Sequence, residues 1–451
     1  MPSPQEKADI EALLVRLVTD REAVGGSLSI LDGDGITTFS TGVTSTLAPT
    51  PVSAGTVFRI ESHTKLVTTA LALQLCDIGR LGLDDEVRDH LPAECAAPAG
   101  LTVRHLLSHQ SGLADLPPAA NDNLHRPTAE LTGHILRTPL LFRPGTQHSY
   151  STTAFIVLGA VIEEVTGLPW ETAVQYGVLD PLGMTDACTT TERALARHVG
   201  IGHRFDEDSA STVPVTDACP TGLAATAGMF ASTRDLVRLA ALYTRRGPLD
   251  AGQPVFSEAS RAEATSTQRP IHAAFAPGMS QGLGWQLASW GGRDLLLHQS
   301  FGRGTSGSIA MDVATGVGYA ALINSESGEH VCIDLSQAML DRLYGLTVPG
   351  HAAPGPSGGR DIARYAGTYT HDRYHSYRVE PHGTDGLKLL ADNVHHLEEP
   401  VQAPAPLRQL DDHRFAYHSG FVVFGGFDEA GSPTTLHVRN RLAARVETTA
   451  A

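Results

Sequence analysis

Residues 56–79 read Thr56-Val57-Phe58-Arg59-Ile60-Glu61-Ser62-His63-Thr64-Lys65-Leu66-Val67-Thr68-Thr69-Ala70-Leu71-Ala72-Leu73-Gln74-Leu75-Cys76-Asp77-Ile78-Gly79, and the fold turns on how they are divided. Thr56 to Ile60 have strand-forming side chains, and an apolar run from Ser62 to Ile78 then stops at a glycine. A strand passing into a long buried helix is the expectation. Ser62 and Lys65 stand three residues apart, so both lie on one helical face and the amine can reach the hydroxyl. A serine at a helix start is commonly only a cap. The lysine argues for more. Lysine occurs only at positions 7, 65 and 388, and the 33 basic residues less these three are thirty arginines. Lysine can lose its proton when desolvated and arginine effectively cannot. A neutral amine could take the serine proton, and the helix N-terminus favours the negative charge that develops nearby.

Working outward, Gly26–Asp32 and Ile36–Gly42 read as a hairpin around Asp32-Gly33-Asp34-Gly35. Helices are expected over Thr153–Val165, closed by Gly167 and Pro169, and over Ser232–Thr244, with Ser232 or Thr233 as N-cap. Strands follow at Leu295–His298, Ser306–Met311 and Val317–Asn324, then a helix over Val331–Tyr344. Strands at both ends with helices between predict an α/β (α+β) domain, one antiparallel sheet covered by helices, over residues 1–347. The Pro-, Gly- and Ala-rich stretch Val348–Gly359 marks a linker, taken as 348–360. Residues 361–451 carry short alternating strands, among them Arg414–Tyr417 and Phe421–Phe424, and predict a small β-barrel.

The formal charge of −16 disfavours nucleic acid or an anionic membrane as partner, and an acidic surface also serves plain solubility. No basic stretch followed by an apolar one opens the chain, so no secretory signal is expected. Cys76, Cys95, Cys188, Cys219 and Cys332 are odd in number and unpaired in spacing, which suits reduced thiols and a cytoplasmic location; an exported chain trimmed of its signal is the alternative. His371, His375, His395, His396, His413 and His418 lack metal-ligand spacing and read as surface residues, so no metal is expected.

Three further blocks stand in order. Leu101-Thr102-Val103-Arg104-His105-Leu106-Leu107-Ser108-His109-Gln110-Ser111-Gly112-Leu113 carries two histidines best read as packing residues. Pro144-Gly145-Thr146-Gln147-His148-Ser149-Tyr150-Ser151-Thr152 precedes a helix, and Leu297-His298-Gln299-Ser300-Phe301 precedes Gly302-Arg303-Gly304. Together with Ser62-x-x-Lys65 these resemble the class C β-lactamase and penicillin-binding-protein superfamily, over residues 8–345. The tail resembles the lipocalin-like domain of some relatives.

The resemblance implies a β-lactamase/transpeptidase-like fold and a two-step acyl-enzyme reaction. Ser62 would be the nucleophile and Tyr150 the general base and acid, its phenolate favoured by Lys65 and able to shuttle the proton to the leaving group. His298 would hold a substrate carboxylate or polarise Tyr150, a structural histidine being the other reading. The N–H groups of Phe301 and Ser62 would form the oxyanion hole. Two positions depart from the family pattern. Thr152 stands where an asparagine is usual and offers a hydroxyl but no amide. Ser300 replaces a glycine and is expected to add bulk where substrate lies along the strand. Both point away from ordinary β-lactam turnover.

No cofactor is implied. The expected substrate is a small-molecule or peptide acyl donor, a carrier-protein-bound thioester among the candidates. The expected reaction is transfer to an amine, as in a macrocyclising thioesterase or transacylase of natural-product biosynthesis. The alternatives are a hydrolytic esterase or D-amino-acid peptidase, and a non-catalytic acyl- or peptide-binding relative.

Overall fold

The computed structural model describes residues 3–446 except 34, 115–123, 126–127, 207–208, 210, 250–253, 272–277, 303, 349–361, 372–375, 384–385, 393–404, 411–412, 418–419 and 439–440. The linker stretch and His375, His395, His396 and His418 therefore fall almost wholly outside the described residues. Strands β1 (Gly25–Asp32), β2 (Gly35–Gly42), β3 (Arg269–Pro270), β4 (Met279–Gln281), β5 (Gln286–Trp290), β6 (Arg293–Gly302), β7 (Thr305–Asp312) and β8 (Gly318–Ile323) form one sheet. Its order is β2-β1-β8-β7-β6-β5-β4-β3, and every pairing is antiparallel.

Helices cover both faces. On one, α1 (Pro4–Asp20) and the last helix of the domain, Gly328–Tyr344, pack Leu14, Leu17, Val331 and Leu335 against Leu28 and Ile30. On the other lie α2 (Thr64–Asp77), α3 (Thr152–Thr166) and α4 (Thr233–Leu242), joined in the larger core around Leu66, Phe155 and Leu236. The alternation Ser27-Leu28-Ser29-Ile30 does not mark a solvent face. Ser27 and Ser29 are both buried, and their hydroxyls bond Thr233 at 3.0 and 2.7 Å. Buried hydroxyls survive because each has a partner.

Two local details set the site. The helix predicted from Ser62 begins two residues later, because Glu61–His63 form a 3₁₀ turn after the short strand Val57–Arg59. At α3, Ser151 is the N-cap, its hydroxyl accepting the Ala154 N–H, and Gly167 closes the helix at φ 70°. Tyr150 thus immediately precedes the N-cap of a well-capped helix.

The C-terminal strands β9 (Gly367–Thr370), β10 (Ser376–His382), β11 (Gly386–Asp392), β12 (Ala405–Gln409), β13 (Arg414–Tyr417), β14 (Gly420–Phe427), β15 (Pro433–Val438) and β16 (Arg441–Arg445) close into a barrel. Tyr369, Phe415, Phe424 and Leu436 fill it. His371 corrects the surface reading: it is buried, and its Nδ1 donates to the Leu442 carbonyl at 2.7 Å. All five cysteines are free thiols. Among the described residues no single helix is long and apolar enough to cross a membrane.

Candidate active site

The 3₁₀ turn presents Ser62 at the floor of a cleft of about 920 Å³, open mouth included. Lys65 is 1% exposed, and its Nζ donates to Ser62 Oγ at 3.0 Å and to the Thr226 carbonyl at 3.4 Å. The rings of Tyr150 and Phe155 flank the amine, their centroids 5.1 and 5.9 Å away. A hydroxyl is therefore held against a buried amine whose other neighbours are a carbonyl and two aromatic rings. That is the geometry an activated nucleophile requires.

Tyr150 is positioned by His109. The Ser149 N–H donates to the His109 carbonyl at 3.0 Å, and the Ser151 N–H donates to its Nδ1 at 3.2 Å. Both backbone neighbours of the tyrosine are thus tied to one residue, whose ring centroid lies 4.3 Å from the Tyr150 ring. His109 adopts φ 55°, a left-handed conformation uncommon outside glycine. The packing role read from sequence for His109 is therefore a specific one. His105 caps a helix, with Nδ1 accepting the Thr102 N–H.

Strand β6 supplies the opposite lip. Its partner β5 ends at the pair Gln286↔Leu297, so no strand among the described residues pairs with that edge of 298–302. Phe301 and Gly302 line the cleft beside Ser62, as does Thr152. His298 and Ser300 do not. His298 is 3% exposed, its ring 5.2 Å from His63 and edge-on to Trp285. Burial above all, then the charges of His63 and Lys65, hold its pKa well below the usual imidazole value. His298 is enclosed and does not line the cleft, so it is not placed to meet a substrate carboxylate, which corrects that half of the expectation. The Ser300 hydroxyl turns away from the cleft and lies 3.2 Å from His63 Nδ1, so the expected bulk on the substrate side is absent.

Three groups in the cleft escape the sequence patterns. Arg59 and Glu61 form a nearly buried ion pair at 2.5 Å beside Ser62. Arg441, from barrel strand β16, lies with its guanidinium 5.3 Å from the centre of the Tyr150 ring. The barrel is fastened there, since the Leu442 N–H donates to Ser149 Oγ at 3.1 Å. No local signal marks Arg441, because only the docking of the two domains brings it to the nucleophile. Among the described residues no group of three or more His, Cys, Asp or Glu side chains could hold a metal.

A serine–lysine pair beneath a tyrosine, at the lip of an antiparallel sheet sandwiched by helices, defines the class of serine hydrolases that work through an acyl-enzyme. Comparison with known proteins narrows the class. The chain belongs to the Beta-lactamase family, whose model matches residues 10–342. It is 29% identical to penicillin-binding protein 4 of Amycolatopsis lactamdurans over 367 residues, 78% of this chain and 94% of that one. It is 32% identical to esterase EstB of Burkholderia gladioli over 199 residues, 40% of this chain and half of the esterase. The crystal structure of SurE superposes with a TM-score of 0.78 at 25% identity, covering 98% of this chain and 99% of that one. SurE with D-Leu gives 0.77 at 26%, covering 98% and 100%. The protein is a serine hydrolase of the β-lactamase/penicillin-binding-protein superfamily.

Proposed function

We propose that the protein transfers an acyl or peptidyl group from an ester or thioester, a carrier-bound thioester included, to an amine. The observation that carries this reading is the shared cleft wall: a cation from the barrel, Arg441, stands over Tyr150 beside the nucleophile. Plain hydrolysis needs no second domain at the reacting centre. The likeness to SurE spans both domains, and one SurE structure is named for D-Leu, an amino acid with a free amine and carboxylate.

In the proposed reaction the Ser62 hydroxyl loses its proton to Lys65 as its oxygen attacks the donor carbonyl. The N–H groups of Ser62 and Phe301 hold the oxyanion. Collapse expels the thiol or alcohol, protonated through Tyr150, and leaves an acyl-serine. An acceptor amine then attacks the acyl carbon and gives up a proton to the same pair, and Ser62 is released. Thr152 offers its hydroxyl to the donor's carbonyl or amide, and His298 supports the site through His63, whose Nε2 bonds the His298 carbonyl. Arg441 suits a carboxylate on the substrate.

Esterase or D-amino-acid peptidase activity is the second reading, favoured by the match to EstB. Incubation with peptidyl N-acetylcysteamine thioesters, with and without added amines, separates the two by mass spectrometry. Amide or macrocyclic product is expected; linear acid alone, across several peptides and amines, would overturn the transfer reading. In the same assay Arg441→Ala should raise KM for a carboxylate-bearing substrate ~10- to 100-fold, the worth of a charge-assisted hydrogen bond. The corresponding primary amide should be unaffected.

A further inference from the structure

We propose that Glu61 and His63, the residues on either side of the nucleophile, form a two-point clamp that fixes Ser62 against the Phe301 lip of strand β6. Neither is a catalytic residue; both are positioning residues, and the proposal rests on the acyl-enzyme reading above.

The His63 arm bonds β6 before Phe301, at His298 and Ser300, and the Glu61 arm lies on Gly302 after it and bonds Thr305 at the start of β7. His63 is fully buried and reaches β6 through both ring nitrogens. Nε2 lies 3.3 Å from the His298 carbonyl, which can only accept, so Nε2 carries the proton. Nδ1 is then the acceptor, and the Ser300 hydroxyl donates to it at 3.2 Å. The ring runs close above β7, where a Cβ on Gly307 would stand 2.6 Å from His63 Cε1. Glu61 is 7% exposed and reaches past Phe301. Its Oε1 accepts from Thr305 Oγ1 at 3.3 Å and from Arg59 Nε at 2.5 Å. Its carboxyl lies directly on Gly302, where any Cβ would collide with it. Side chains at 298, 300 and 302 share one face of a strand, and that face meets the turn.

This arrangement explains two otherwise separate oddities. Ser300, which departs from the family's glycine, is the donor that His63 needs. Glu61 holds φ 47° without being a glycine, a strained conformation that persists only where its surroundings impose it. Here the imposing contacts are those of its carboxyl with Arg59, Gly302 and Thr305. The pair of N–H groups proposed for the oxyanion belongs to Ser62 and Phe301. The clamp therefore sets the distance on which transition-state stabilisation depends, and small displacements there are costly.

Glu61→Gly separates positioning from mere structure. Glycine suits φ 47° and offsets part of the cost of leaving the nearly buried Arg59 without its carboxylate, so the variant should fold with a melting temperature below that of the wild type. Losing one arm should nonetheless slow covalent modification of Ser62 by a fluorophosphonate ~10- to 100-fold, the cost of slight misplacement at a reacting centre. With an ester substrate kcat should fall by more than KM rises, since the carboxyl of Glu61 is engaged by Arg59 and Thr305 and acts through the placement of Ser62. Glu61→Gln, which keeps the acceptor and the size, should recover most of the rate. Ser300→Gly, which cuts the other arm without adding bulk, should also slow modification and decides the matter if Glu61→Gly fails to fold. Wild-type modification at Ser62 with unchanged rates in the variants overturns the clamp. No modification of the wild type at Ser62 overturns the acyl-enzyme reading instead.

Discussion

Lys65→Arg should leave the protein folded and slow acylation of Ser62 by ~10²–10⁴, the range for a lost general base. The expectation follows from where the amine sits. Lys65 is 1% exposed, donates to Ser62 Oγ at 3.0 Å, and is surrounded by a carbonyl and two rings. Arginine preserves a positive charge and hydrogen-bond donors, so a purely electrostatic or structural lysine would tolerate it. Arginine cannot accept the serine proton, so a lysine acting as base would not. The burst of p-nitrophenol from an activated ester, followed in a stopped-flow instrument, reads the acylation step directly. A burst rate near that of the wild type would refute the role.

The second large effect is on stability in acid. Three imidazoles around Lys65 are held neutral. His63 is pushed down to about 3, by burial first and by the charge of Lys65, its bond to the His298 carbonyl working the other way. His109 and His298 lie well below the usual value, chiefly through burial, with further contributions from His148 and Lys65 and from His63 and Lys65 respectively. In the unfolded chain these rings bind protons below about pH 6.5. Each therefore contributes stability that is complete near neutrality and lost as pH falls. Asp235 acts in the opposite direction. Burial above all, with the charge of Asp186, raises its carboxyl to about 7, so unfolding releases its proton between about pH 4 and 7. Three groups that take up protons on unfolding against one that releases its own leave a net uptake, so stability should fall as pH drops from about 6 to about 4. Urea unfolding at several pH values measures the slope. A flat profile over that window would mean that the imidazoles are not buried neutral.

Much of this site is legible in the order and spacing of its residues. The i, i+3 spacing of Ser62 and Lys65 survives the shift of the helix start to Thr64, because a 3₁₀ turn also carries the two side chains to one side. Tyr150 is marked by its place before a capped helix. The hairpin Gly25–Gly42 and strands β6 to β8 follow from local alternation and turn residues. The rest depends on contacts distant in sequence. Ser27 and Ser29 look solvent-facing, yet Thr233, about two hundred residues later, satisfies them in the interior. The direction of Ser300 depends on His63, and the depth of His298 depends on Trp285. Arg441 and His371 acquire their places only through the barrel and its docking on Ser149. Glu61 gives no hint of its left-handed backbone, since the contacts that impose it come from β6 and β7.

The departures at Thr152 and Ser300 differ in consequence. Thr152 faces the cleft and alters what a substrate meets. Ser300 faces inward and alters how the nucleophile is held. Only the first bears on substrate choice, so Thr152 and Arg441 are the positions at which specificity should be changed by substitution.

The central claim is that Ser62 forms a covalent acyl-enzyme, which a non-catalytic binding relative would not do. Intact-protein mass spectrometry after treatment of the full chain with a fluorophosphonate tests it most directly. One adduct per chain, located at Ser62 and absent from Ser62→Ala, is the predicted result. No adduct on the wild type, or an adduct that persists in Ser62→Ala, would contradict it.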